Sequence, residues 1–205
     1  MASETTEVLF ARYGPRYRWL VAITVLMGTM SATVTTTTVN VAIPDIMGAF
    51  GIGQDRAQWL STGALAGTTV AMLLSAWMIH SFGTRRTFVG ALCVFVGVLL
   101  LAGATPNDSV LIFCRIVQGA VTGLVQPLAI YALFRVFPYD QRGKAMGFFG
   151  LSAILGPAIG PTIAGLLIEH FNWRYIFYIP IPLSLAGIML GALVLPQREE
   201  AGARA

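Results

Sequence analysis

Charge is scarce in this sequence. Only 11% of its 205 residues are Asp, Glu, Lys or Arg, where soluble domains carry about a quarter. A chain so poor in charge lacks the residues to cover an ordinary water-facing surface. Acidic residues are fewest of all. The nine are Glu4, Glu7, Asp45, Asp55, Asp108, Asp140, Glu169, Glu199 and Glu200. Each falls in a loop, in a tail or at the end of an apolar run, so no run is expected to hold a buried carboxylate. Histidine occurs twice, as His80 and His170, near the ends of two different apolar runs. The orientation derived below sets them on opposite sides of a membrane. This excludes a serine–histidine pair at a common depth, which an intramembrane protease of the rhomboid kind needs. It also excludes a two-histidine metal site. No catalytic residue, metal ligand or cofactor is predicted. The two cysteines, Cys93 and Cys114, lie inside apolar runs and read as packing residues, not as a disulfide framework.

What the sequence does have is apolar length, with 56% hydrophobic residues. Six runs, near 19–41, 58–79, 87–104, 110–134, 145–168 and 175–195, are each long enough to cross a bilayer at roughly 20 residues per helix. Backbone polar groups in lipid must be satisfied within the segment, so the expected fold is an all-α membrane protein of six transmembrane helices. The domain reading is an N-terminal segment 1–18, a six-helix bundle 19–195 and a tail 196–205. The first run is too long for a signal-peptide core and no small-residue cleavage site closes it, so it is expected to stay in the membrane.

Basic residues give the orientation. Arg12, Arg16, Arg18, Arg85, Arg86, Arg135, Arg142, Lys144, Arg198 and Arg204 fall on one side of the predicted spans, Arg56 and Arg174 on the other. The positive-inside rule puts both termini in the cytoplasm. These clusters are topology signals and do not imply a nucleic-acid partner.

Polar residues inside the spans are the candidates for function. In span 4, Arg115, Gln118, Thr122 and Gln126 stand at i, i+3, i+7 and i+11, one stripe along a helix. Arg115 lies six residues from Ser109, about 9 Å deep at ~1.5 Å per residue. Such a stripe is costly against lipid tails and is expected to face a cavity. In span 1, Thr29, Thr33, Thr36 or Thr37, and Asn40 form a second stripe. A threonine hydroxyl can turn back on its own helix, whereas Asn40 needs a partner. Thr33, Thr37 and Asn40 are predicted to form a wall opposite Arg115, Gln118, Thr122 and Gln126. The alternative is that both stripes only bond helix to helix.

Small residues recur four apart, at Gly63/Gly67, Gly119/Gly123, Gly143/Gly147, Gly156/Gly160 and Gly187/Gly191. Such pairs allow close helix packing, or, at one of them, a dimerising surface. In span 5, Pro157 and Pro161 follow Gly156 and Gly160. This pattern is expected to bend the helix and shape one face of it as a seal.

These segments together resemble the N-terminal half of a major facilitator superfamily transporter, in the drug:proton antiporter-2 (EmrB/QacA-type) branch. "TTTTVNVAIPDI" is similar to that branch's first-span signature. "SFGTRRTF" occupies the place of its loop 2–3 motif, "RIVQGAVTG" fits the span-4 pattern R-x-x-Q-G-x-x-x-G, and "LGPAIGPTIAG" fits the antiporter motif of span 5. "NWRYIFYIPIP" is similar to the usual start of span 6. The resemblance implies a 3+3 inverted repeat, location in the cell inner membrane, and multidrug efflux by alternating access against a second bundle. It also implies that Gly83, Arg85 and Arg86 form part of a cytoplasmic gate. The implied partners are the lipid bilayer, a small-molecule substrate such as a hydrophobic drug, and a homodimer mate or separate C-terminal half. The alternative is a truncated or regulatory membrane subunit without transport of its own.

The sequence departs from the branch in its acids. Thr35 stands where the first-span signature commonly has Asp, and His80 where the loop motif usually has Asp. Strong selection for cationic substrates would then have to come from another subunit.

Overall fold

The computed structural model describes residues 6–196. The tail expected at 196–205 therefore lies outside the described residues, Pro196 apart. Among the described residues the chain is α-helix with short 3-10 turns and no strand. Its helices are α1 (Thr6–Tyr13), α2 (Tyr17–Phe50), α3 (Gln54–Ala57), α4 (Trp59–Phe82), α5 (Thr84–Ala104), α6 (Asp108–Val136), α7 (Arg142–His170) and α8 (Pro180–Val194). Six helical stretches, one each around α2, α4, α5, α6, α7 and α8, are long and apolar enough to cross a membrane.

Within the N-terminal segment, Thr6–Tyr13 form α1, whose Leu9 is buried, and a short turn leads into Tyr17, whose buried hydroxyl donates to the carbonyl of Val194 at 2.9 Å. The first span runs past residue 41, through Pro44, to Phe50. Ala42 and Ile46 continue its buried face at i, i+4, so packing outweighs the one hydrogen bond the proline removes. The helix stops at Gly51, which adopts φ +62° while its N–H and that of Ile52 turn back to the carbonyl of Met47. This left-handed stop suits glycine.

α2 lies at the centre, against α6, α7 and α8, while α4 runs along α6 and α5 packs between α6 and α8. Ser31 of α2 and Ser184 of α8 meet at 2.6 Å, a polar contact buried between two spans. The closest approach is between α4 and α6. A methyl group on Gly67 would overlap the carbonyl oxygen of Ile116, one on Gly119 that of Ala64, and one on Gly123 that of Thr68. Here the four-residue spacing works as predicted, because only glycine lets two backbones touch in this way.

The loops at the end of the bundle opposite Gly83 are laced together. Asn107 caps α6 by accepting from the N–H of Ser109 at 2.8 Å. Arg56 pairs with Asp108. Arg174 donates to the carbonyls of Gly103 (3.0 Å) and Thr105 (2.6 Å) and lies 4.7 Å from the centroid of Trp173. At the other end a single residue joins α4 to α5. Gly83, at φ +81° and ψ 161°, donates to Ile79 and accepts from Thr87.

Candidate substrate cavity

A cavity of about 210 Å³ opens between α2, α4 and α6. Arg115 and Gln118, at i and i+3 on α6, line it together, and both are almost wholly buried at 1% and 2% exposure. Nε of Arg115 donates to the carbonyl of Leu60 at 3.0 Å, and its Nη1 donates to Oε1 of Gln118 at 2.9 Å. Arg115 therefore does not snorkel toward the surface; its head is held inside the bundle by α4 and by its own helix. Nη2 of Arg115 and Nε2 of Gln118 are buried without a partner among the described residues.

The remaining wall is neutral. Thr122 continues the α6 stripe and donates to the carbonyl of Gln118 at 3.0 Å. From α2 come Thr35, Thr36 and Asn40. Ser61 and Thr68 of α4 complete it, with Ser61 donating to Oδ1 of Asn40 at 3.0 Å. Ala32, Ala64, Leu65 and Phe95 supply apolar surface. No acidic residue lines this cavity, and among the described residues no three His, Cys, Asp or Glu side chains gather where a metal could sit. Asp45 lies within α2 because that helix is longer than expected, but it is exposed beyond Asn40.

Of the predicted wall, Arg115, Gln118, Thr122 and Asn40 come together. Gln126, a turn further along α6, does not line the cavity. Thr33 and Thr37 are placed on another face. Their hydroxyls lie beside α7, Thr33 3.3 Å from the carbonyl of Ser152 and Thr37 3.4 Å from that of Gly156. The physical reason is angular. Successive residues of a helix are about 100° apart, so Thr36 and Asn40 share one face of α2 while Thr33 and Thr37 share the next. Ser61 and Thr68 were not among the predicted residues, although with Leu65 they stand at i, i+4 and i+7 and could have been read as a third stripe.

Span 5 also resolves into faces. Ser152, Gly156, Gly160 and Ala164 form a buried line at four-residue spacing against α2. Methyl groups on Gly156 and Gly160 would overlap the hydroxyls of Thr33 and Thr37. Pro157 and Pro161 lie on the exposed side, within a helix that is continuous from Arg142 to His170. Each removes an N–H, so the carbonyls of Ala153 and Pro157 lose their donors one turn on. Arg86 is exposed and borders an apolar groove with Met78 and Phe82, whereas Arg85 is half-buried.

This is a polytopic helical bundle with a polar chamber between its first, second and fourth spans, the architecture of half a membrane carrier. The Major Facilitator Superfamily pattern matches residues 25–205, and the chain belongs to that family. It is 36% identical to the uncharacterized MFS-type transporter YhcA of Bacillus subtilis, over 87% of this chain and 34% of that protein. It is 34% identical to the lincomycin resistance protein LmrB of B. subtilis, over 93% and 39%. It is 29% identical to the multidrug export protein EmrB of Haemophilus influenzae, over 88% and 35%. The chain thus spans about a third of the length of these relatives. Among solved structures, the proton:xylose symporter XylE superposes with a TM-score of 0.80 at 16% identity, over 90% of this chain and 46% of that one. Inward-open XylE from E. coli gives 0.70 at 18% identity, over 92% and 49%. These likenesses establish the fold: six helices, one half of the superfamily's architecture.

Proposed function

We propose that this chain is one bundle of a multidrug-type efflux carrier, moving a hydrophobic small molecule by alternating access. The observation that carries this reading is the buried Arg115–Gln118 pair in a chamber otherwise lined by hydroxyls, amides and apolar groups. A lipid-facing stripe of this kind would be strongly unfavourable. The relatives named for multidrug export and lincomycin resistance support a drug-like substrate.

The chamber sits in one bundle, and alternating access needs a second to rock against it. The broad exposed apolar faces of α4 and α7, with Leu65, Leu73, Trp77 and Ile154 outermost, support a docking role for these helices. The second bundle in this proposal is a C-terminal half, whether on the same polypeptide or another, or a further copy of this chain related by a two-fold axis along the membrane normal. In this reading both termini are cytoplasmic in the inner membrane, and Gly83, Arg85 and Arg86 form part of the inner gate. Gly156 and Gly160 seat α7 on α2, while Pro157 and Pro161 shape the face that meets the second bundle. No chemical step on the substrate is involved.

The test is reconstitution into proteoliposomes with and without a co-expressed C-terminal half, followed by movement of anionic, neutral and cationic hydrophobic dyes. Arg115-dependent transport of any class supports the proposal. Traffic equal to that of empty liposomes in both preparations rejects it in favour of a regulatory subunit.

A further inference from the structure

We infer that the cavity takes an anion, specifically the carboxylate of a small hydrophobic acid, held by Nη2 of Arg115 and Nε2 of Gln118. This inference rests on the reading of the cavity as a substrate chamber and names the class of substrate.

The argument begins with donors that lack acceptors. Arg115 has N–H groups on three nitrogens. Nε and Nη1 are engaged by Leu60 and Gln118 at 3.0 and 2.9 Å, and Nη2 has no partner. The amide that accepts from Nη1 leaves its own Nε2 unpaired. Two adjacent side chains, both more than nine-tenths buried, therefore carry spare donors in one place. A guanidinium is always charged, and a buried charge without a counter-charge is strongly unfavourable. Among the described residues none is supplied here, because no carboxylate lines the cavity.

The other polar groups fit the same ligand. Thr36, Thr68 and Thr122 direct their hydroxyl protons to helix carbonyls, at 3.1, 2.9 and 3.0 Å. Their oxygens keep lone pairs for a ligand's N–H or O–H, but they carry no charge. A cation in this cavity would face Arg115 unshielded. A carboxylate would pair with it, accepting a charge-assisted hydrogen bond from Nη2 of Arg115 and a second bond from Nε2 of Gln118. Phe95, Leu65, Ala32 and Ala64 offer apolar surface for the rest of the molecule. Cavities of about 150 Å³ admit benzene, and this one measures about 210 Å³, room for one substituted ring. Both spare donors are sealed from water in this conformation, so the carboxylate reaches them as the two side chains turn into the cavity they line.

Benzoate, benzamide and benzamidinium test this directly, since they share one shape and differ in charge. Binding is measured by calorimetry and thermal shift on the full chain in detergent. Benzoate is expected to bind and raise the Tm, with benzamide and benzamidinium at least about tenfold weaker. Arg115→Gln is expected to remove that preference while retaining its helical circular dichroism; if this variant does not fold, Gln118→Met, which deletes the second proposed donor and keeps the charge, is expected to weaken benzoate binding several-fold while leaving its preference over benzamidinium. Benzamidinium binding as tightly as benzoate overturns the inference. So does benzoate affinity that is unchanged in a folded variant. Benzoate binding without transport in proteoliposomes supports the inference and counts against the transport reading. Transport of a cationic dye without benzoate binding does the reverse.

Discussion

The hydroxyl of Thr68 on α4 lies 3.0 Å from the carbonyl oxygen of Gly119 on α6 and 2.9 Å from that of Ala64 on its own helix, so its one proton is shared between the two helices. The contact crosses the point where the two helices touch, and the missing side chain of Gly119 makes room for it. A methyl group at Gly119 would overlap the carbonyl of Ala64, which is backbone and cannot swing aside. Gly119→Ala is therefore expected to destabilise the protein by about 1–3 kcal/mol. Gly97→Ala, where a methyl meets nothing, is expected to be neutral or slightly stabilising through helix propensity. Thermal unfolding in detergent compares the two; equal Tm values would reject the contact.

Arg115→Met separates stability from function. Removing an unpaired buried charge is expected to leave the Tm equal or higher. The same change, like Arg115→Ala, is expected to abolish transport while membrane insertion stays normal. Arg115→Lys is not expected to rescue it, because an ammonium cannot reach Leu60 and Gln118 as a planar fork. Transport that survives either truncation would reject the residue's role.

The two faces of α2 make opposite predictions for accessibility. With Cys93 and Cys114 replaced, Thr36→Cys should react readily with a small water-soluble maleimide. Thr37→Cys should react slowly, because Thr37 lies beside Gly156 and Gly160 of α7. Equal labelling rates would show that the α2–α7 contact is open.

Gly83 holds φ +81° and ψ 161° at the joint between α4 and α5, a region that is essentially glycine-only. Gly83→Ala is expected to lower stability by about 1–3 kcal/mol. Arg86→Ala, on the exposed surface beside it, is expected to stay within about 0.5 kcal/mol. Chemical or thermal unfolding of the two variants provides the measurement.

The number of spans, the all-helical class and the α6 stripe from Arg115 to Thr122 were legible in the sequence, because each depends on spacing along one helix. The partner of each stripe was not. Thr33, Thr36 and Thr37 all match a helical period loosely, and only the position of α7 decides which of them face the cavity. The length of α2 was obscured by Pro44, a residue that usually argues for a stop, while Ala42 and Ile46 carried the opposing signal. The contribution of α4 was harder still: Ser61 and Thr68 are ordinary residues whose importance comes from Asn40 and Arg115 across the gap. The bare donors on Arg115 and Gln118 had no sequence signature at all, since they are defined by what fails to reach them.

The backbone contact between α4 and α6 also has a mechanical meaning. Two helices that touch through glycine have no side-chain layer between them to shear or repack. A displacement of α4 is therefore expected to carry α6 with it. Arg115 rides on α6, and its Nε is anchored to α4 through Leu60. The backbone contact and the Leu60 bond together tie the position of the guanidinium to that of both helices.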